Sequence, residues 1–170
     1  MPDTLEQNKA IARRMLEAFN TKNLAIVAEL IDQNVQDKSR SLGFETELRR
    51  SHPIRRVQTE ILREEDAFPD GQFKEEACVA EGDTVVLRWS MTGTHRGSIL
   101  GRPATGKRVE TFGTEIIRIR NGKIIEHTGN DGLDLLDLLF QLDLLDADVV
   151  QKMKTHDRAL GTGHRTAPAR

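Results

Sequence analysis

The chain predicts an α+β fold: a strongly curved antiparallel sheet forming a cone, with helices ahead of it and one more helix behind. Three observations carry this. Apolar residues recur at helical spacing as far as Ala67, the period drops to two from Gln72, and a Leu-rich helical run follows Asp131. Because the helices precede the strands instead of alternating with them, they should lie together on one side of an antiparallel sheet.

Asp3 or Thr4 is placed to cap the first helix, whose apolar residues Leu5, Ile11, Leu16 and Phe19 fall near helical spacing. Residues 20–23 interrupt it, and a second, short helix carries Ala25, Ala28, Leu30 and Ile31. A polar loop through Gly43 comes next. Pro53 suits the first turn of a third helix, where its missing N–H has no bond to lose, and Ile54, Val57, Ile61 and Leu62 share one side. The turn Phe68-Pro69-Asp70-Gly71 stops it.

Strands are expected over residues 73–80 and 84–94, joined by Glu81-Gly82-Asp83. In the second, Arg88, Ser90, Thr92 and Thr94 alternate with Leu87, Trp89 and Met91, the pattern of a sheet with one buried face. A loop holding Gly97, Gly101, Pro103 and Gly106 leads to a strand over residues 108–120. Asn121-Gly122 is the strongest hairpin signal in the chain and joins that strand, antiparallel, to residues 123–128. Ile119 then faces Ile124, and Glu115 lies opposite residue 128, within one position.

The last helix is apolar on two sides. Leu135, Leu138, Leu139 and Leu142 form one stripe, and Leu133, Leu136, Phe140 and Leu144 form another. One stripe can close the core; the other needs a second partner, which points to a homodimer. Residues 1–148 are therefore read as one cone domain, and residues 149–170 as a polar, mobile tail.

The 170 residues carry a formal charge of −2, which argues against nucleic acid, a partner bound mainly by charge. No apolar stretch approaches the ~20 residues that span a bilayer, so no membrane partner is expected. The polar N-terminus has no signal-peptide pattern, and the single cysteine, Cys78, excludes an intramolecular disulfide and reads as an apolar filler. A cytoplasmic protein is the expectation. The five histidines are far apart and no carboxylates have ligand spacing, so no metal site is expected.

One residue breaks the pattern of a buried strand. Glu115 stands on the same face as Ile117 and Ile119, so its carboxylate must be exposed, paired or placed for chemistry. Glu126 and His127 end the next strand, and Asp131 precedes the last helix. Carboxylates and an imidazole on neighbouring stretches are the raw material of proton transfer. Each also has a structural reading. Glu115 could pair with Arg88 or Arg118, Asp131 could cap the helix, His127 could be an exposed strand end, and His95 could belong to a surface loop.

Several runs together resemble a known family: Ala67-Phe68-Pro69-Asp70, Val79-Ala80-Glu81-Gly82-Asp83-Thr84-Val85-Val86, Arg88-Trp89, Gly93-Thr94-His95-Arg96-Gly97, Gly106-Lys107-Arg108-Val109 and Gly122-Lys123-Ile124-Ile125-Glu126-His127. Over about residues 5 to 145 the chain is similar to the SnoaL-like polyketide cyclases, of the nuclear-transport-factor-like and ketosteroid-isomerase-like cone fold. The resemblance implies a dimer of cones, each with an apolar pocket between sheet and helices. It also implies intramolecular aldol condensation of an anthracycline precursor without metal or cofactor, using an aspartate near the end of the last strand as acid/base. Asp131 matches that aspartate. Asp134 is the alternative, because the chain is about two residues longer than the usual spacing between His127 and Gln141-Leu142.

The function expected is cofactor-independent acid/base catalysis on a small or polycyclic, hydrophobic carbonyl compound. Asp131, His127 and Glu115 are the candidate catalytic residues, and Trp89, Met91, Phe112 and His95 the candidate substrate-binding ones. An isomerase, dehydratase or epoxide hydrolase of the same fold, or a non-catalytic dimeric module that binds a small molecule, are the alternatives. The pocket separates them: an enzyme needs an inward carboxylate with a raised pKa, whereas a binding module can line it with apolar groups alone.

Overall fold

A computed structural model describes residues 4–38, 53–129 and 133–146, together with 148 and 151. Helix α1 (Leu5–Thr21) starts at a capping box: Thr4 Oγ1 accepts from the Gln7 N–H at 3.2 Å, and Gln7 Oε1 accepts from the Thr4 N–H at 2.7 Å. It ends at Lys22, whose φ of 55° turns the chain out of the helix. Asn23 then caps α2 (Leu24–Leu30), accepting from the Ala25 N–H at 3.1 Å.

Directly after α2 comes a strand, β1 (Ile31–Asp37), where the sequence reads as the end of a helix and a polar loop. Only Ile31 and Val35 are apolar in Ile31-Asp32-Gln33-Asn34-Val35-Gln36-Asp37, so no alternation marks it. An edge strand needs only backbone partners on one side. Here they come from β5 (Lys123–Thr128), which runs parallel to it, with Gln36 opposite Glu126 and Asp37 opposite His127. The sheet is thus antiparallel, as expected, with one parallel pair at the β1 edge.

Helix α3 (Pro53–Ala67) precedes β2 (Gln72–Glu81), β3 (Thr84–Thr94) and β4 (Arg108–Arg120), and α4 (Leu133–Gln141) comes after β5. The five strands form one curved, unclosed sheet in the order β1-β5-β4-β3-β2. Asn121 and Gly122, with φ of 52° and 73°, make the β4–β5 turn. Ile119 faces Ile124 as expected, and a bulge between Arg118 and Ile119 puts Thr128 opposite Ile116.

Two apolar clusters lie on the concave face. Val85, Leu87, Ile117, Ile119 and Ile124 of the sheet pack with Ala12, Ile26, Val27, Leu30 and Ile61 of α1 to α3. Ala67, Phe68, Phe73, Met91 and Val109 form the second cluster, closed by Leu142 just beyond α4. Of the two α4 stripes, Leu138 and Leu142 pack inward, while Leu136 and Phe140 stay 38% and 48% exposed; Leu144, assigned to the outer stripe, packs with the second cluster instead. Residues 152–170, most of the expected tail, lie outside the described residues.

Candidate active site

Strand register brings two of the expected catalytic residues together. On β4, Glu115 lies opposite Leu87 of β3, and Ile117 lies opposite His127 of β5. Residues two apart share a face, so Glu115, Ile117, Leu87 and His127 all point to the concave side, where Leu87 and Ile117 are buried. There Glu115 Oε2 meets His127 Nε2, with both side chains about three-quarters buried. Glu115 therefore pairs with the imidazole, and not with Arg88 or Arg118. Arg118 is held by Asp83 at 2.7 Å, and Arg88 lies 5.4 Å from the centre of the Phe112 ring.

A carboxylate only accepts, so the ring nitrogen it meets carries the proton, and the imidazole is fixed in orientation by an anion in a site largely shielded from water. Such a pair keeps the Nε2 proton on the carboxylate, so a proton passed to a substrate oxygen would leave from the other ring nitrogen, Nδ1. Gly129, buried and two residues beyond His127, packs directly on the Glu115 carboxylate.

The expected substrate-binding residues are dispersed. Trp89 is two residues from Leu87 on the concave face, opposite Gly113, with its ring 5.2 Å from Phe73 in an edge-on contact. Met91 is next along the same face but is buried in the second cluster. Phe112 is on the convex face, 36% exposed, beneath Arg88. Alternation already separates it from Glu115, three residues away.

His95 is fully buried, which corrects its reading as a surface-loop residue. Its ring stacks at an angle on Phe68, with centroids 5.7 Å apart, and Nδ1 accepts from the Thr105 N–H at 3.1 Å. Nε2 finds no partner at good hydrogen-bonding geometry. Burial pushes the imidazole below its ordinary range, opposed by the nearby Gly97 backbone. His95 is eight residues on from Leu87, roughly 25 Å along an extended strand, so it does not join the Glu115–His127 pair.

Asp131 lies outside the described residues, as does the side chain of Asp134. Gly129 is a residue of this site that periodicity does not single out, although a glycine just after a strand is itself the sequence signal of a close approach.

A hollow of about 470 Å³ on the sheet's other side is lined by Asp32, Arg118, Arg120 and Glu126 among others. Glu126 there is held by Lys38 at 2.8 Å and Arg118 by Asp83, so much of its charge is already paired at the surface. Among the described residues no three His, Cys, Asp or Glu side chains gather as a metal site would require, and no helix is long and apolar enough to cross a membrane.

Known proteins share this architecture. The family model for SnoaL-like polyketide cyclase matches residues 9–142. The chain is 33% identical over 118 residues to the aklanonic acid methyl ester cyclase DnrD of Streptomyces peucetius, across 69% of this chain and 79% of that protein. It is equally similar to the cyclase of the same description, DauD, of Streptomyces sp. strain C5, at 33% identity across 69% of this chain and 71% of that one. Among solved structures it resembles AclR of Streptomyces galilaeus, with a TM-score of 0.68 and 26% identity over 84% of this chain and 100% of that one. TsrD of Streptomyces laurentii, with a TM-score of 0.69 and 24% identity over 82% of this chain and 97% of that one, supports the fold alone. A family match that runs from α1 through α4, together with relatives at 33% identity, means that this chain belongs to the SnoaL-like polyketide cyclases.

Proposed function

We propose that the protein closes a ring in a polycyclic carbonyl compound by cofactor-independent intramolecular aldol condensation. A base removes a proton α to one carbonyl, and the resulting enolate carbon attacks a second carbonyl carbon of the same molecule. One C–C bond forms, and the new alkoxide takes up a proton. Nothing is lost, so the product is an isomer of the substrate. Asp131 is the proposed base, and the Glu115–His127 pair the proposed source of the returning proton.

The observation that supports this most is the contact of Glu115 with His127 Nε2 on the concave face, beside Trp89 and below the helices. Aklanonic acid methyl ester, which the relatives' names identify as their substrate, is the first compound to test. Incubation should convert it to a product of unchanged mass and altered retention. Loss of water would favour a dehydratase, and binding without conversion would favour a non-catalytic module.

The same reading makes the protein a homodimer. Leu136 and Phe140 on α4, and Val79 and Ile116 at 60% and 44% exposure on the convex face, are apolar surface for a second copy to cover. Cys78 is a free thiol that burial holds above its ordinary pKa, and a residue of that kind suits a reducing cytoplasm.

A further inference from the structure

Gly129 is not a glycine for the sake of its backbone. Among the described residues the glycines with positive φ are Gly82, Gly101, Gly106 and Gly122, and Gly129 is not one of them, so no left-handed φ calls for glycine there. What excludes a side chain is the Glu115 carboxylate. A Cβ at 129 would come within 3.0 Å of both Cδ and Oε1 of Glu115 and closer still to Oε2. That same Oε2 is the atom that meets His127 Nε2.

We propose that Gly129 is a positioning residue for the acid/base pair: the side chain it lacks leaves the seat in which the Glu115 carboxylate rests against the imidazole. The inference deepens the cyclase reading and takes from it only the role of the pair. Two residues of one chain segment, His127 and Gly129, then hold the carboxylate from two sides. The neighbour displaced by a methyl group is the far end of a flexible side chain, so Gly129→Ala should swing Glu115 aside while the sheet stays folded.

The test has two readouts. Ring-nitrogen NMR of His127 reports the hydrogen bond at Nε2 whether or not the protein turns over a substrate. In Gly129→Ala the Nε2 signal should move to the position it takes in Glu115→Ala; an unchanged signal overturns the proposal. Cyclisation kinetics form the second readout. A displacement of about 1 Å should lower kcat about a hundredfold, and adding Gly129→Ala to Glu115→Ala should lower it no further, because the two changes act on one contact. Additive losses would overturn the proposal. Should Gly129→Ala fail to fold, the Gly129→Ala, Glu115→Ala double variant decides: recovery of the fold supports the seat, and continued failure refutes it. A parent protein with no cyclase activity but the expected NMR response would refute the function and leave the seat standing.

Discussion

Gln141 pairs with the backbone of Glu110 as if it were one more residue of a neighbouring strand. Its Nε2 donates to the Glu110 carbonyl at 2.7 Å, and its Oε1 accepts from the Glu110 N–H at 3.1 Å. Strand β5 pairs with β4 only from Ile116 onward, so this amide occupies an edge that β5 leaves open and ties the end of α4 to the sheet. Gln141→Ala should cost about 1 kcal/mol, kept modest because water can reach the freed groups. Thermal melts should show a fall of roughly 2–4 °C, and no change at all would mean that Leu142 alone docks the helix.

Removing the proton carriers should separate chemistry from stability. Glu115→Gln and Asp131→Asn keep size but cannot take a proton, and each should lower kcat by ~10²–10⁴-fold in the cyclisation assay while melting within a few degrees of the parent. Asp134→Asn is the control, mild if Asp131 is the base and severe if the roles are reversed. Full activity in both aspartate variants would assign the base elsewhere.

Stability should fall on mild acidification because of His95. Burial lowers its pKa in the folded state, so below its ordinary value of 6.5 the unfolded chain binds a proton that the native ring does not. Stability is therefore full above that value and is lost as the pH drops from it toward the lowered native one. Protonation would also put a hydrogen on Nδ1, where the Thr105 N–H now donates. Melting curves between about pH 5 and 8 should slope downward toward acid, and His95→Asn should flatten that slope.

The dimer has a direct test. Sedimentation at micromolar concentration should give about twice the 19.1 kDa chain mass, and placing a charge at the most exposed apolar residue of the convex face, Val79→Lys, should shift the species toward monomer. A parent protein that sediments as a monomer would leave both apolar surfaces without this explanation.

Turnover should not depend on a metal. Treatment with a chelator and dialysis should leave the cyclisation rate unchanged, since the chemistry proposed needs only proton donors and acceptors. Loss of activity that is restored by one particular metal ion would require a different mechanism.

The sequence by itself determined the elements whose causes are local. Thr4 and Gln7 write a helix start, Pro53 suits a first turn, and Asn121-Gly122 accepts two positive φ angles, so these boundaries and the β4–β5 hairpin were legible. The family was legible too, through motifs spread over most of the chain. The parity rule that separates Phe112 from Glu115 was equally available. Only the tertiary structure decided the rest. β1 is a strand because of backbone groups on β5, about ninety residues away, and its own polar side chains announce nothing. His95 is buried because Gly97 lets its loop close on the end of α3, where the Arg96 and Gly97 N–H groups donate to the Ala67 carbonyl at 2.9 and 3.2 Å. Glu115 meets His127 because one bulge sets the register, and a shift of one residue would have sent one of them to the other face. Contacts of this kind depend on where distant segments are packed, and periodicity within a segment carries no information about that.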